Sequence, residues 1–307
     1  MNIQMEWYRV FYWTAKLGSL TKAAEQLHIT QPAVSHTLKQ LESALGGALF
    51  FRSAKGVTLT AEGEVLYSYV EQAMQMLDIG EKKMAEMQNL LLGEIHIGAS
   101  DTLCKYYLLP YLEQFHQQYP DIRVHVTNRT TPETITLLKE GKIDFGIVNL
   151  PAEDPKIDFR PSAPQQDCLV GHPKYAELAR QPLPLAELHQ YPLLLLEPGG
   201  STRRFLDSYA GAHGTTLHPE FELGSLDLLV QFAQSGFGLT FITRQFITEE
   251  LASGKLVEIP LTPPIPLRHI GIATLKNVPL SAASKRFIGF LSQLKTGILP
   301  DIPFTDE

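Results

Sequence analysis

Cysteine is almost missing from this chain. Cys104 and Cys168 are the only two in 307 residues, too few and too far apart for a disulfide scaffold, and they read as reduced, buried thiols without a role. Long apolar runs are missing as well. The run Leu193 to Leu196 is four residues, far short of the roughly 20 that a membrane helix needs. No basic stretch followed by an apolar core opens the sequence, because aromatic and polar residues alternate from Trp7 to Trp13, so no secretion signal is expected and the chain should be cytoplasmic. There is no GxGxxG or phosphate-loop sequence, no GxSxG elbow and no HExxH, and the ten histidines show no metal-ligand spacing. No catalytic residue, cofactor or metal is therefore expected. His189, His213 and His218 read as solvent or packing residues.

What is present describes a globular protein. Hydrophobic residues make up 44% and charged residues 19%, and the length suggests two or three units. The net charge of −7 disfavours nucleic acid as a whole-chain average, but it is unevenly placed. Through Thr60 six Lys/Arg face three acids, whereas from Ala61 to Leu92 six acids face two lysines. A basic head thus precedes an acidic stalk, and only the head suits phosphates.

Within the head, Trp7, Val10, Phe11, Thr14 and Ala15 fall at helical spacing up to Gly18. Ser19 can cap a second helix through Ala23, Ala24 and Leu27. Thr30 can cap a third, with Pro32 in its first turn, where a missing N–H costs nothing. The inner stripe of that helix is Val34, Leu38, Leu41 and Leu45, ended by Gly46-Gly47. Pro32, Ser35, His36, Lys39 and Ser43 then point outward and Gln31 projects from the tip. Two short helices around a tight turn, the second polar on its outer N-terminal face, form a helix-turn-helix that fits the major groove. Gln31 can pair with adenine, Ser35 can donate or accept, His36 can approach a guanine acceptor, and Lys39 suits phosphate. A merely solvated face is the competing reading. Phe50-Phe51-Arg52, a turn at Ala54-Lys55-Gly56 and Val57-Thr58-Leu59 add a small hairpin, a wing whose Arg52 and Lys55 would clamp phosphates.

These residues resemble the LysR-type transcriptional regulators. The match runs over Gly18-Ser19-Leu20-Thr21, Ala23-Ala24, Leu27, Thr30-Gln31-Pro32-Ala33-Val34-Ser35, Leu41-Glu42, Leu45-Gly46, Leu49-Phe50, Arg52, Leu59-Thr60 and Gly63. The resemblance implies a winged helix in which Gln31 and Ser35 reach bases of an interrupted palindromic promoter site. It also implies a dimer, often a tetramer, and makes RNA polymerase a further partner. His36 stands where an arginine or another long polar residue is frequent, which leaves base preference there open.

Thr60 can cap a long helix to about Leu92, with Glu62 and Glu64 near its positive end. Leu66, Tyr69, Ala73, Met76 and Gly80, then Met84, Met87 and Leu91, form a seam that either docks on its own domain or pairs with a second chain. The expected modules are an all-α winged helix-turn-helix (1–60), a linker helix (61–92) and a two-lobed α/β effector domain (93–307).

From Gly93 strands alternate with helices, indicating βαβ units. The pro-rich stretch from Pro151 to Pro164 and the cluster from Pro260 to Pro266 mark two crossings between lobes, placing 93–163 and 267–307 in one lobe and 164–266 in the other. The pattern resembles the type 2 periplasmic-binding-protein architecture that the LysR-type family carries, with a cleft between its lobes. In open α/β sheets ligands sit beyond the carboxyl ends of strands, at helix N-termini. Three loops qualify: Ser100-Asp101-Thr102, Asn128-Arg129-Thr130, and Gly199-Gly200-Ser201-Thr202-Arg203. Their hydroxyls, backbone donors and Arg203 suit a small anion, although each loop alone is equally a helix cap. The resemblance places effector contacts at these loops and beside Val148-Asn149. An α/β enzyme with a regulatory DNA-binding head and a ligand-independent repressor are the alternatives.

Overall fold

The computed structural model describes residues 3–53, 56–88 and 93–293. It separates into two compact units, one ending at Gln88 and the other beginning at Asn89.

In the first unit, α1 (Met5–Leu17), α2 (Leu20–Leu27) and α3 (Gln31–Leu45) pack around Val10, Phe11, Ala23, Ala24, Val34, Leu38 and Leu41. The caps are those expected: Ser19 accepts from the Lys22 amide, Thr30 from the Ala33 amide, and Gly18 and Gly46 close their helices in left-handed conformations. β1 (Phe50–Ser53) and β2 (Gly56–Leu59) pair antiparallel as the wing. The Val57 amide donates to the Gly18 carbonyl oxygen, tying the wing to the α1–α2 turn. A Cβ on Gly56 would lie 2.6 Å from that same oxygen, and its φ is +129°, so only glycine fits where the wing meets the turn.

Thr60 caps α4 (Ala61–Gln88), accepting from the Gly63 amide. Gly63 lets α4 lie against the chain before the wing, since a Cβ there would meet the Leu49 carbonyl oxygen at 2.2 Å. One stripe of α4, comprising Leu66, Tyr67, Val70 and Met74, packs on the head. Leu66 therefore leaves the expected seam, and the fold explains why: the helix root needs an apolar face toward its own domain. The rest of the described seam, Tyr69, Ala73, Met76, Gly80 and Met84, is exposed. Met87 has an undescribed side chain, and Leu91 lies outside the described residues.

The second unit has two five-stranded sheets, one in each lobe, and a two-stranded sheet that pairs Leu183–Pro184 with Leu261–Thr262. Lobe I is built from β3 (Glu94–Ala99), the helical stretch α5 (Asp101–Leu103) that continues through a π-helical turn at Cys104–Leu108 into α6 (Leu109–Gln118), β4 (Arg123–Asn128), α7 (Thr131–Lys139), β5 (Phe145–Leu150) and β6 (Ile157–Gln165). Lobe II follows with β7 (Asp167–Gly171), β8 (Leu183–Pro184), β9 (Leu193–Leu196), α8 (Ser201–Ala212), β10 (Phe221–Leu223), α9 (Leu226–Gln234), β11 (Leu239–Thr243), α10 (Thr248–Ala252), β12 (Val257–Ile259) and β13 (Leu261–Thr262). The chain then returns to lobe I as β14 (Arg268–Leu275) and α11 (Ala282–Gln293). The strand orders are β4-β3-β5-β14-β6 and β10-β9-β11-β7-β12. β3, β4 and β5 run parallel, as do β9, β10 and β11, while β14 and β7 enter their sheets antiparallel.

The stretch expected to interrupt the pattern before Pro164 contains a strand, β6, which carries Pro161 and Pro164. It is an edge strand, where a missing N–H costs no ladder bond, and a register shift at Ile270/Gly271 absorbs the irregularity. The first crossing accordingly falls at Gln166, beyond the anticipated boundary at 163. Lobe I is filled by Ile95, Ile97, Tyr107, Phe115, Phe145 and Phe287 and lobe II by Leu169, Leu193, Leu206 and Phe241.

Candidate functional site

On α3 the polar outer face is as spaced: Gln31, Pro32, His36 and Lys39 are exposed, with Thr30 exposed at the cap and Ser35 half-buried. Arg52 is more than a free basic group beside them. Its Nη1 donates to Ser35 Oγ at 3.2 Å and its Nη2 to Glu42 Oε2 at 3.4 Å, while Glu42 Oε1 accepts from the Leu49 amide at 2.9 Å. Glu42 thus clips the wing strand to the helix, and Arg52 bridges both. Spacing could not show this, because the three residues come from two elements. Lys55 lies outside the described residues.

In the second unit, the helical segments that follow β3, β4, β9 and β10 carry the contacts between the lobes. Ser100 caps α5, accepting from the Leu103 amide at 3.4 Å. Thr102 borders a recess of about 230 Å³ shared with Asp101, Lys105, Tyr106, Ser225, Leu226 and Asp227. The lobes are latched beside it: Lys105 Nζ donates to both Asp227 oxygens at 2.9 Å, Tyr106 OH to Asp227 at 3.0 Å, and the Tyr106 ring stacks on Phe246 with centroids 4.6 Å apart.

A second cross-cleft contact joins the other loops. Ser201 Oγ, in the first turn of α8, donates to Thr131 Oγ1 at 3.2 Å, and the Asn149 amide donates to that same Thr131 oxygen at 3.2 Å. Asn149 Oδ1 is buried with no hydrogen-bond partner. Thr202 accepts from Arg268 Nη1 at 3.3 Å. Asn128 and Arg129 are exposed at the rim, with Arg129 Nη1 donating to the Asn128 carbonyl.

Two expected contacts are placed otherwise. Arg203 turns into its own lobe, where Nη1 donates to the Leu196 carbonyl and Glu222 at 2.7 Å each and Nε to Asp207 at 3.1 Å; its charge is already matched by two carboxylates. The Val148 side chain is fully buried with Leu138, Ile143 and Ala273, because alternation on β5 sends it into the sheet's packed face. The residue that sequence reasoning missed is Arg268. It is 3% exposed, paired with the equally buried Asp167 (Nε to Oδ2 2.5 Å, Nη2 to Oδ1 3.0 Å), and lies over the Phe205 ring. Thr243 Oγ1 completes the cluster by donating to Asp167 Oδ1 at 2.7 Å. The cluster sits where both crossings enter the lobes.

Cys104 and Cys168 are both free thiols. Burial, reinforced by the negative charge of Asp101, pushes the Cys104 thiol up to about 11, and burial raises Cys168 as well. Raising a thiol from 9 to about 11 cuts its thiolate fraction near neutral pH about 100-fold, and the greater nucleophilicity of the more basic thiolate returns part of that. Cys104 is expected to alkylate with iodoacetamide about tenfold more slowly than an unperturbed thiol at pH 7, the gap narrowing above about pH 9, where the unperturbed thiol is already ionised, and closing near about pH 10; mass spectrometry of a time course measures it.

Comparison with known proteins agrees with this architecture. Residues 5–64 match the model of the bacterial regulatory helix-turn-helix protein, lysR family, and residues 88–295 match that of the LysR substrate binding domain. The chain is 29% identical to the HTH-type transcriptional regulator CfxR of Cupriavidus necator, over 95% of this chain and 94% of that one. It is 28% identical to the HTH-type transcriptional regulator BbuR of Bordetella bronchiseptica, over 81% and 76% respectively. A full-length OxyR variant from Pseudomonas aeruginosa has the same fold, with TM-score 0.61 at 22% identity and complete coverage of both chains. The regulatory domain of Synechocystis CcmR, solved in complex with 2-PG, aligns with TM-score 0.62 at 20% identity, covering 67% of this chain and 99% of that one. With both of its units matched, the chain belongs to the LysR family of bacterial transcription regulators, a helix-turn-helix head followed by an effector-binding domain.

Proposed function

We propose that this regulator responds to a small anion held between the lobes, and that it does no chemistry on it. The observation that carries the reading is the Asn149–Thr131–Ser201 chain across the cleft. It combines a buried amide with an open valence, two hydroxyls from different lobes, and the first turn of α8, whose N–H groups lack intrahelical acceptors and carry the positive end of the helix dipole. The reading assigns effector contacts to Ser100, Thr102, Asn128, Arg129 and Thr202 as well, and Arg268 reaches the first turn of α8 through Thr202. Titration of the full chain with sulfate, phosphate and short mono- and dicarboxylates, read by hydrogen exchange, is expected to protect the first turns of α7 and α8 with at least one of them. Unchanged exchange there with the whole panel, together with an unchanged DNA footprint, overturns the reading.

The same proposal assigns base contacts to Gln31, Ser35 and His36 and phosphate contacts to Lys39, Arg52 and Lys55, with RNA polymerase as the protein acted on and the cytoplasm as the compartment. Among the described residues no helix is long and apolar enough to cross a membrane. The exposed seam of α4, with Tyr69 at 69% exposure and Met84 at 58%, is read as the dimer contact, since a two-fold DNA site calls for a two-fold reader. The Glu42–Arg52 clip carries a further expectation. Glu42→Gln keeps the acceptor for the Leu49 amide but removes the charge that holds Arg52. DNA affinity should rise at low salt, and the slope of log K against log salt should steepen by about one phosphate contact; fluorescence anisotropy across a salt series checks both.

A further inference from the structure

We propose a transition-metal site on the outer edge of lobe I, formed by Glu94, His96 and His125 and lying apart from the effector cleft residues described above. The sheet brings these side chains together. Glu94 and His96 are two residues apart on β3 and so share the face opposite Ile95 and Ile97, while the parallel register sets His96 directly beside His125 of the edge strand β4. The two imidazole rings stack with centroids 4.7 Å apart and planes within 10°, and His96 Nε2 lies 3.8 Å from Glu94 Oε2. One ligand atom from each of the three falls within 4.8 Å of the others.

A tetrahedral ion with bonds of about 2.0 to 2.2 Å needs ligand atoms about 3.4 Å apart. Side-chain rotation closes that gap without moving the strands. The backbone is already fixed at the central ligand, because the His96 amide donates to Asp144 Oδ2 at 2.8 Å and the Asp144 amide donates to the His96 carbonyl at 2.8 Å. Two imidazoles and one carboxylate are a borderline donor set that takes Zn²⁺, Co²⁺ or Ni²⁺ and not Mg²⁺ or Ca²⁺. A water molecule would complete the coordination of a bound ion. Arg123 is the built-in competitor: it faces Glu94 in the register, with Nη1 3.6 Å from Glu94 Oε1, and an ion must share that carboxylate with it.

Sequence spacing gave no hint of this site, since 29 positions separate the two histidines and only strand pairing joins them. The test is titration of the chelator-stripped full chain with Co²⁺, read by its visible d–d absorption, followed by displacement with Zn²⁺. One saturable site per chain is expected, displaced by Zn²⁺ and untouched by Mg²⁺ or Ca²⁺. His125→Gln should weaken Co²⁺ binding at least tenfold, His96→Ala with His125→Ala should abolish the band, and Arg123→Gln should tighten binding several-fold by freeing Glu94. Circular dichroism checks that the variants are folded, and His125→Gln, on an exposed edge strand, together with Arg123→Gln keeps the test decisive if the double variant does not fold. Absence of a saturable band in the parent, or equal affinity in the parent, His125→Gln and Arg123→Gln, overturns the proposal.

Discussion

Arg268→Ala is expected to destabilise the effector domain by about 3 to 5 kcal/mol, the cost of leaving one member of a buried ion pair alone. Asp167 is 2% exposed at its side chain, and Arg268 supplies two of its hydrogen bonds. Without the guanidinium the carboxylate keeps the Thr243 hydroxyl as its one side-chain partner among the described residues. Removing both charges, as Asp167→Leu with Arg268→Met, should recover most of that loss, because apolar pairs of similar volume replace buried ion pairs at little cost. Urea unfolding of the three variants, followed by a probe in the effector domain, measures the difference. A loss below about 1 kcal/mol for the single variant would contradict the assignment. The recovered double variant should still lose effector response, since Arg268 also reaches Thr202 at the first turn of α8. Stability and signalling thereby separate at one residue.

Gln31→Ala is expected to relax preference at a single base pair by about 1 to 3 kcal/mol while leaving the affinity for random DNA nearly unchanged. Gln31 is exposed at the tip of a helix whose cap, Thr30, is satisfied by the Ala33 amide, so truncation removes the proposed base contact without loosening the helix. Lys55→Ala should behave oppositely, weakening all sequences alike and flattening the salt slope. Binding to a library of single-base operator variants at two salt concentrations distinguishes them. Equal behaviour of the two would overturn the division between reading and holding.

Much of the head was legible because its signals are local. Ser19, Thr30 and Thr60 cap the helices they precede, Gly18 and Gly46 end theirs, and the three-and-four spacing of Val34, Leu38 and Leu41 fixes which face of α3 stays outside. The effector domain was legible as an alternation of strands and helices, but its partnerships were not. Whether Arg203 faces the cleft or Glu222 depends on a strand 19 residues downstream, and Arg268 meets Asp167 across 101 positions. Prolines in β6 read as an interruption because periodicity carries no information about which strand lies at an edge. In the same way Leu66 fitted the stalk's spacing yet packs on the head, since a helix with two apolar stripes shows both in one pattern.

The contact between Arg52 and Ser35 also sets the chemical vocabulary of the recognition helix. Ser35 Oγ accepts from the wing's guanidinium at 3.2 Å, which uses a lone pair and leaves the hydroxyl hydrogen free to turn toward the groove. Under the proposed base contact, a serine held this way has its hydrogen free to donate and one lone pair left to accept. Donation would suit guanine O6 and N7, adenine N7 or thymine O4, while the Arg52 contact leaves less of the oxygen for the amino group of cytosine. In that reading the wing, which touches no base, would bias the letters its neighbour prefers.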